Sequence, residues 1–439
     1  MSNRSLGRWL ALVVMCALVA IPAVAESHVR IVRLSDVQGP VEVDRGTGQG
    51  YEKAFLNMPV VEGMKLSAKA DARAEIEFED GSTVRVTPNT RIDFTALSLQ
   101  DSGARVSTLT LTQGMAYVQY TAKGKSDAFT VVFQNEKVRP DQAVHFRVDL
   151  EEASAVLAVF NGDLKVEGPS GPLELSKNKS VTFDLAADNK FTLAKNVEQQ
   201  PFDAWDKQQS KYQQEYASRG SYRDYPYAYG VSDLNYYGAY SNVPGYGMMW
   251  QPYFAGANWS PFADGSWMFY PGFGYTWVSS YPWGWMPYRY GSWNFVPSYG
   301  WMWAPGGFGG GWYNVPRVTN APQRFNPPVA PTTGTATVTV GHPGISSGVP
   351  RRMVVQNGSA GLGVPRGAIN NLNKVSNEVQ RNGSATVRPA APVRAASMPS
   401  SPGLGNAGSH MSTGNAGSHM STGAGRVSTG GHTSAPSRH

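Results

Sequence analysis

The side chains able to do chemistry in this chain are few and scattered, and their spacing limits what they could do. The densest group of carboxylates lies in ARAEIEFEDGSTVRV, which carries Glu75, Glu77, Glu79 and Asp80. Acid/base catalysis needs two carboxyls held in different environments across one cleft. Strand alternation instead puts Glu75 and Glu77 on one face with Arg85, a pattern that predicts a solvated outer surface. Ahead of the C-terminal region the only imidazoles are His28 and His145, and no glycine loop precedes a helix to cradle phosphate. His410, His419 and His432 stand in low-complexity sequence with no scaffold to orient them around a metal. Asp233 and Asp264 would have to face one another across a cleft to act as a glycosidase pair. The reading is therefore non-enzymatic, with no catalytic, cofactor-binding or metal-ligating residue. Binding chemistry is concentrated in Tyr281, Trp283, Tyr288 and Arg289, together with Asp264, where rings could stack on a ligand and the two charges could fix its hydroxyls.

The elements that must hold these residues differ along the chain. Residues 29 to 195 carry short alternating runs, among them Val41 to Val43, Ala74 to Phe78, Thr83 to Val86, Phe129 to Phe133, Val144 to Val148 and Val181 to Leu185, at the spacing of an all-β domain. A two-residue Asp80-Gly81 turn would mix charged and apolar side chains on both faces. A three-residue loop, Glu79-Asp80-Gly81, pairs Phe78 with Ser82, Ile76 with Val84 and Ala74 with Val86, and needs positive φ at Gly81. Residues 201 to 219 read as an amphipathic helix bearing Phe202, Trp205, Tyr212 and Tyr216.

Farther on, eleven of the twelve tryptophans lie between Trp205 and Trp312, and the only charges from Val231 to Tyr313 are Asp233, Asp264 and Arg289. SPFADGSWMFYPGFGYTW aligns with MPYRYGSWNFVPSYGWMW at a 26-residue offset, and a weaker copy containing Gly238, Tyr240, Pro244, Gly247 and Trp250 precedes them. Such a period predicts one β-hairpin per copy, with the rings of Trp267 and Trp293 packed as core.

Composition sets the boundaries. Arg4 and Arg8 precede an apolar run and the small-residue site Ala23-Val24-Ala25, the pattern of a Sec signal peptide cut after Ala25. The sole cysteine, Cys16, lies inside it, so the mature chain has no disulfide or thiolate site, and no later segment has the length and apolarity of a transmembrane helix. The expected domains are a signal peptide at 1–25, an all-β domain at 29–197, a helical linker at 198–230, an aromatic repeat module at 231–318 and a basic, Pro/Gly/Ser-rich disordered tail at 319–439. The tail holds ten Lys or Arg against one acid, Glu378, so it could touch anionic surfaces weakly; a helix carrying Ile369, Leu372, Val375 and Val379 could dock within it. Export argues against a nucleic-acid partner.

The runs Val37-Gln38-Gly39-Pro40-Val41, Val61-Glu62-Gly63-Met64-Lys65-Leu66, Ala74 to Ser82, Pro88-Asn89-Thr90-Arg91-Ile92, Leu111 to Ala116 and Val159 to Val166 together resemble the FecR domain over about residues 33 to 185. That family usually has Gly-Thr before its Phe-Arg-Val strand, where this chain has Gln142-Ala143-Val144-His145. Its regulators also carry a sigma-factor-binding segment, a transmembrane helix and a small receptor-contacting domain; none is visible here, which argues against regulation of a sigma factor across a membrane. From Phe202-Asp203-Ala204-Trp205 to Trp303-Ala304-Pro305-Gly306 the chain resembles a Trp-Gly-Tyr-rich module of unassigned function that often follows FecR domains in exported bacterial proteins, with Arg289 standing where His is usual.

The resemblance implies a mainly β protein: a FecR-like all-β module, built as twisted sheets in a sandwich or solenoid-like form, plus an aromatic hairpin module and the tail. Two functional readings follow. One is a non-enzymatic periplasmic or secreted protein that binds an envelope protein partner in signalling or assembly. The other is a glycan-binding or adhesive surface protein using exposed Trp and Tyr.

Overall fold

The computed structural model describes residues 29–122, 126–169, 171–187, 190–219, 225–306, 311–341 and 352–390. The signal peptide at 1–25, His28 and the histidines of the C-terminal low-complexity region lie outside them.

The described residues between 32 and 194 form seventeen strands in two layers over one core. The first layer runs from Pro59–Val60 through Val32–Gln38, Arg73–Glu77, Thr83–Val86, the second half of Arg105–Tyr120, Val144–Leu150, Ser154–Asn161 and Ser180–Asp184 to Lys190–Ala194. The second runs from Glu52–Lys53 through Val41–Asp44, Lys65–Ala68, Thr90–Leu99, the first half of Arg105–Tyr120, Ala128–Phe133, Glu136–Val138 and Asp163–Glu167 to Leu173–Ser176. The long strand Arg105–Tyr120 changes layer at Gly114, whose φ is 83° and where a Cβ would lie 2.7 Å from Asn89 O. Val43, Leu66, Phe94 and Phe133 from one layer meet Leu34, Ile76, Val84, Val118 and Phe146 from the other, all buried. Each such burial is worth about 1.5–3 kcal/mol relative to exposure.

The register around Gly81 is the one the hydrophobic pattern requires, with Ala74 opposite Val86 and Ile76 opposite Val84. Gly81 has φ 86°, and Phe78 N donates to Ser82 O at 2.8 Å. The outer face of this hairpin departs from expectation. Glu75 and Arg85 are fully buried and Glu77 is 4 % exposed, because a helix and the aromatic module lie across them. Alternation sorts side chains between two faces; it does not say which face is later covered.

The covering helix, α1 (Asp203–Ala217), buries Trp205, Tyr212 and Tyr216 of the four rings that marked its amphipathic face, while Phe202 stands at its N-cap, half-buried. After α2 (Val231–Tyr237) come three hairpins, Gly238–Val243 with Gly247–Pro252, Gly265–Tyr270 with Gly274–Ser279, and Ser292–Val296 with Gly300–Ala304. Each pairs an aromatic with a tryptophan across its strands: Tyr240 with Trp250, Trp267 with Trp277, Trp293 with Trp303. Trp250, Trp267, Trp277, Trp293 and Trp303 are all at most 1 % exposed. Glycine at the hairpin start makes room for the ring, since a Cβ on Gly238 or Gly265 would sit 2.4 Å from the indole of Trp250 or Trp277. The hairpins do not stack in chain order. The first and third share a sheet through Trp250 and Trp303, and the second pairs with Val338–Val340.

The region from 319 on is structured over part of its length. Val318–Asn320 and Val338–Val340 add strands to the aromatic sheets. Met353–Gln356 pairs with Ser384–Val387, and between them runs helix α4 (Leu372–Asn382), capped by Asn371 and ended by Gly383 at φ 77°. α3 is the short turn Met286–Arg289. The tail composition supplies too few apolar groups for a separate core, so Ala360, Val364, Ile369 and Leu372 join the core of the aromatic module instead. Residues 391–439 lie outside the described residues.

Candidate functional site: a buried ion network between the modules

Where the sandwich, α1, the aromatic module and the segment 352–390 meet, seven charged side chains are linked through the interior. Glu75 and Glu77 come from one strand, Arg85 from its hairpin partner and Arg33 from the neighbouring strand Val32–Gln38. α1 adds Asp206, α2 adds Asp233, and the C-terminal segment adds Arg366.

The contacts are close and charge-assisted. Arg85 reaches Glu75 Oε2 and Asp206 Oδ1, both at 2.7 Å, and also donates to Ser210 and Gln213 on α1. Arg33 Nη1 lies 3.1 Å from Glu77 and 2.6 Å from Asp233, while its Nη2 donates to Pro282 O of the aromatic module. Arg366 forks onto both oxygens of Asp233, at 3.0 and 2.9 Å, and donates to Glu75 Oε1 at 2.7 Å. His145 Nε2 lies 2.8 Å from Asp206 Oδ2 at the partly open rim.

Four carboxylates against three guanidiniums leave one excess negative charge, and the carboxyl chemistry divides accordingly. Burial would raise Glu75, but Arg85 and Arg366 outweigh it and bring it down to about 2. Glu77 is driven by burial up to about 7, with Arg33 opposing and Asp233 and Glu75 reinforcing the rise. Asp206 falls below its usual value because His145 and Arg85 overcome its burial. Ion pairs this deep contribute little net stability against an apolar alternative, whereas removing one partner costs about 3–5 kcal/mol. The network therefore fixes how the segments fit together.

The residues expected to bind a ligand lie elsewhere and are covered. Tyr281, Trp283, Tyr288 and Arg289 are all at most 1 % exposed. Three of them do come together: Tyr281 stacks on Trp283 at 5.0 Å and Trp283 on Tyr288 at 5.9 Å. Trp283 donates to Ala360 O at 2.7 Å and Tyr288 to Pro261 O, so the polar handles of both are occupied by the chain itself. Arg289 lies between the rings of Trp285 and Trp312 and donates to Thr276 Oγ1 and to the carbonyls of Trp277 and Tyr313. Burial pushes it down to about 10. Asp264, half-buried, accepts from Tyr281 Oη at 3.2 Å. An exposed platform of these side chains is thus absent, because the connection between hairpins is packed as core.

Arg33, Asp206 and Arg366 escaped the sequence reading, and Asp233 was weighed only as an acid. The available signal was isolation. A single carboxylate in a long uncharged aromatic stretch has nowhere to be solvated once the rings pack, and needs a cation. A recess lined by Arg30, Phe78, Asp80, Arg105 and Phe129 admits about 10 Å³, room for about one water against the ~300–1,000 Å³ of ligand pockets. Among the described residues no group of three or more His, Cys, Asp or Glu is placed to hold a metal, and no helix is long and apolar enough to cross a membrane.

Comparison with known proteins bears on both modules. Two crystal structures of candidate anti-sigma factors from Parabacteroides distasonis ATCC 8503 are similar in part. One, at 1.65 Å, is 17% identical with TM-score 0.27, covering 32% of this chain and 63% of that one, so the chain spans somewhat under two thirds of its length. The other, at 2.50 Å, is 15% identical with TM-score 0.27, covering 41% and 94%. The comparison with curated proteins gives no match. Residues 64–165 match the family described as FecR protein, inside the wider span the motifs suggested, and residues 231–327 match a family of unknown function, DUF6600. Two separate stretches of the chain thus match known family models, a FecR match followed by a DUF6600 match.

Proposed function

We propose that this is a non-enzymatic exported protein of the cell envelope whose FecR domain binds a protein partner in signalling or assembly. The FecR match and the signal-peptide pattern support the setting. The observation that carries partner binding is the strand Lys190–Ala194 at the edge of the first layer. Among the described residues it pairs only with Ser180–Asp184, all five of its residues are exposed, and Phe191 and Leu193 present 39 % and 55 % of their surface on one side. They sit opposite the buried Phe183 and Val181 and so continue the core-facing row past the edge. An open edge with alternating apolar side chains is the surface to which an extended segment of a partner adds as a further strand.

The test is in-cell crosslinking of the tagged protein and of a Phe191→Lys/Leu193→Lys variant. Loss of a discrete crosslinked protein, with unchanged melting, is the expected result. An identical crosslinking pattern from the two proteins would exclude this edge as the contact.

A further inference from the structure

Residues 352–390 stand apart from the two modules they touch. Their hairpin, Met353–Gln356 with Ser384–Val387, forms a two-stranded sheet of its own, and α4 packs against it. Among the described residues no strand of the segment joins the ladders of the sandwich or of the aromatic hairpins, so its departure would leave those sheets hydrogen-bonded. What it does make is a set of docking contacts. Gly358 N and Ala360 N donate to Phe254 O, Trp283 donates to Ala360 O, Tyr237 to Val364 O and Tyr236 to Ile369 O, while Ile369 N donates back to Tyr236 Oη.

At the centre is Arg366. Its Nε and Nη2 meet Asp233, its Nη1 meets Glu75, and Nη2 also reaches Ser35 O at 2.7 Å. The guanidinium carbon lies 5.2 Å from the ring centre of Tyr212 on α1. The planar fork thus has acceptors from the sandwich and the aromatic module in its plane and an aromatic face against it, an arrangement an ammonium cannot reproduce. Without it, Glu75 and Asp233 each lose a guanidinium partner, and the four carboxyls keep only Arg33, Arg85 and, at the rim, the His145 imidazole.

We infer that the junction is a binding site for an arginine-bearing peptide, selective for guanidinium, and that residues 352–390 are its ligand, supplied in cis and exchangeable. The body provides the acidic socket, the tyrosine face and the carbonyl of Phe254. The peptide provides one arginine flanked by backbone groups at 358–369 and the apolar Ala360, Val364 and Leu372. The inference stands on these contacts and does not depend on the partner contact proposed at the sandwich edge.

Full-length protein carrying a protease site substituted between residues 342 and 351 tests it. After cleavage the C-terminal piece should still co-elute with the body, and an excess of fluorescent synthetic peptide 352–390 should replace it over time. A peptide with Arg366→Lys should bind at least about tenfold more weakly and one with Arg366→Gln at least about a hundredfold more weakly. Because these changes lie in the peptide, folding of the body is unaffected. Immediate loss of the cleaved piece at micromolar protein, absence of exchange below the melting temperature, or equal binding of the Arg366→Gln peptide would each overturn the inference.

Discussion

Glu77 shows how one side chain can make stability depend on pH near neutrality. Its carboxyl accepts from Arg33 and from Gly230 N, yet burial pushes it up to about 7 from an ordinary value of 4.5. Between those two pH values the folded chain holds a proton that the unfolded chain has released, so stability falls as pH rises through this window. The contribution is complete below about 4.5 and is lost above about 7, on the order of 3 kcal/mol for a shift of this size. Glu75 acts in the opposite sense at lower pH, where stability is lost as pH falls from 4.5 through about 2. Glu77→Gln keeps an oxygen for both donors and removes the titration. Thermal melts from pH 5 to pH 8 should show a declining Tm for the native chain and a flatter profile for the variant; parallel profiles would contradict the assignment. Ser82, in the nearby turn, shows the opposite kind of surprise. Pairing alone assigns it no role beyond facing Phe78, but its hydroxyl is buried, donates to Asp80 and accepts from Thr121 N.

The hairpins of the aromatic module show which features of an element can be read from sequence. Their positions follow from the 26-residue recurrence of Gly, Pro and Trp, and the burial of Trp267 and Trp293 follows from a repeat too small to hide its rings alone. Trp267→Ala should therefore cost about 3–5 kcal/mol. Gly265→Ala tests the companion idea that the glycine is there for space, because the added Cβ would press on the Trp277 ring; a loss of about 1–3 kcal/mol is expected. Chemical denaturation of both variants provides the measurement, and a neutral Gly265→Ala would show that the ring can move aside. Sheet membership was not legible, because which hairpin edges join depends on contacts remote in sequence. The same limit hid the ion network. Alternation put Glu75, Glu77 and Arg85 on one face, but their cover comes from α1, α2 and a segment almost three hundred positions downstream.

Across the molecule, the modules are joined by more than the charges. Asn57 of the sandwich donates to Ser279 O and Tyr281 O, Tyr270 donates to Pro59 O, and Trp312 donates to Val29 O. One apolar cluster also runs through both modules. Calorimetry should accordingly record one cooperative unfolding transition for residues 29–390, with a calorimetric enthalpy equal to the van't Hoff value; two separated transitions would show that the modules unfold independently. The FecR motifs and the aromatic composition were enough to identify both modules. The part played by residues 352–390 was not legible, since their composition is that of a solvated tail and only Arg366 among their basic residues enters the socket. The position of that arginine in the chain has a temporal consequence. Glu75 and Arg366 are 291 residues apart, and a ribosome delivers the acid long before the base. Until Arg366 is available the acidic socket must stay open to water, and the halves can close only once the segment carrying that arginine is present. Final docking thus waits on Arg366, and the closure of so long a loop makes that step late and slow.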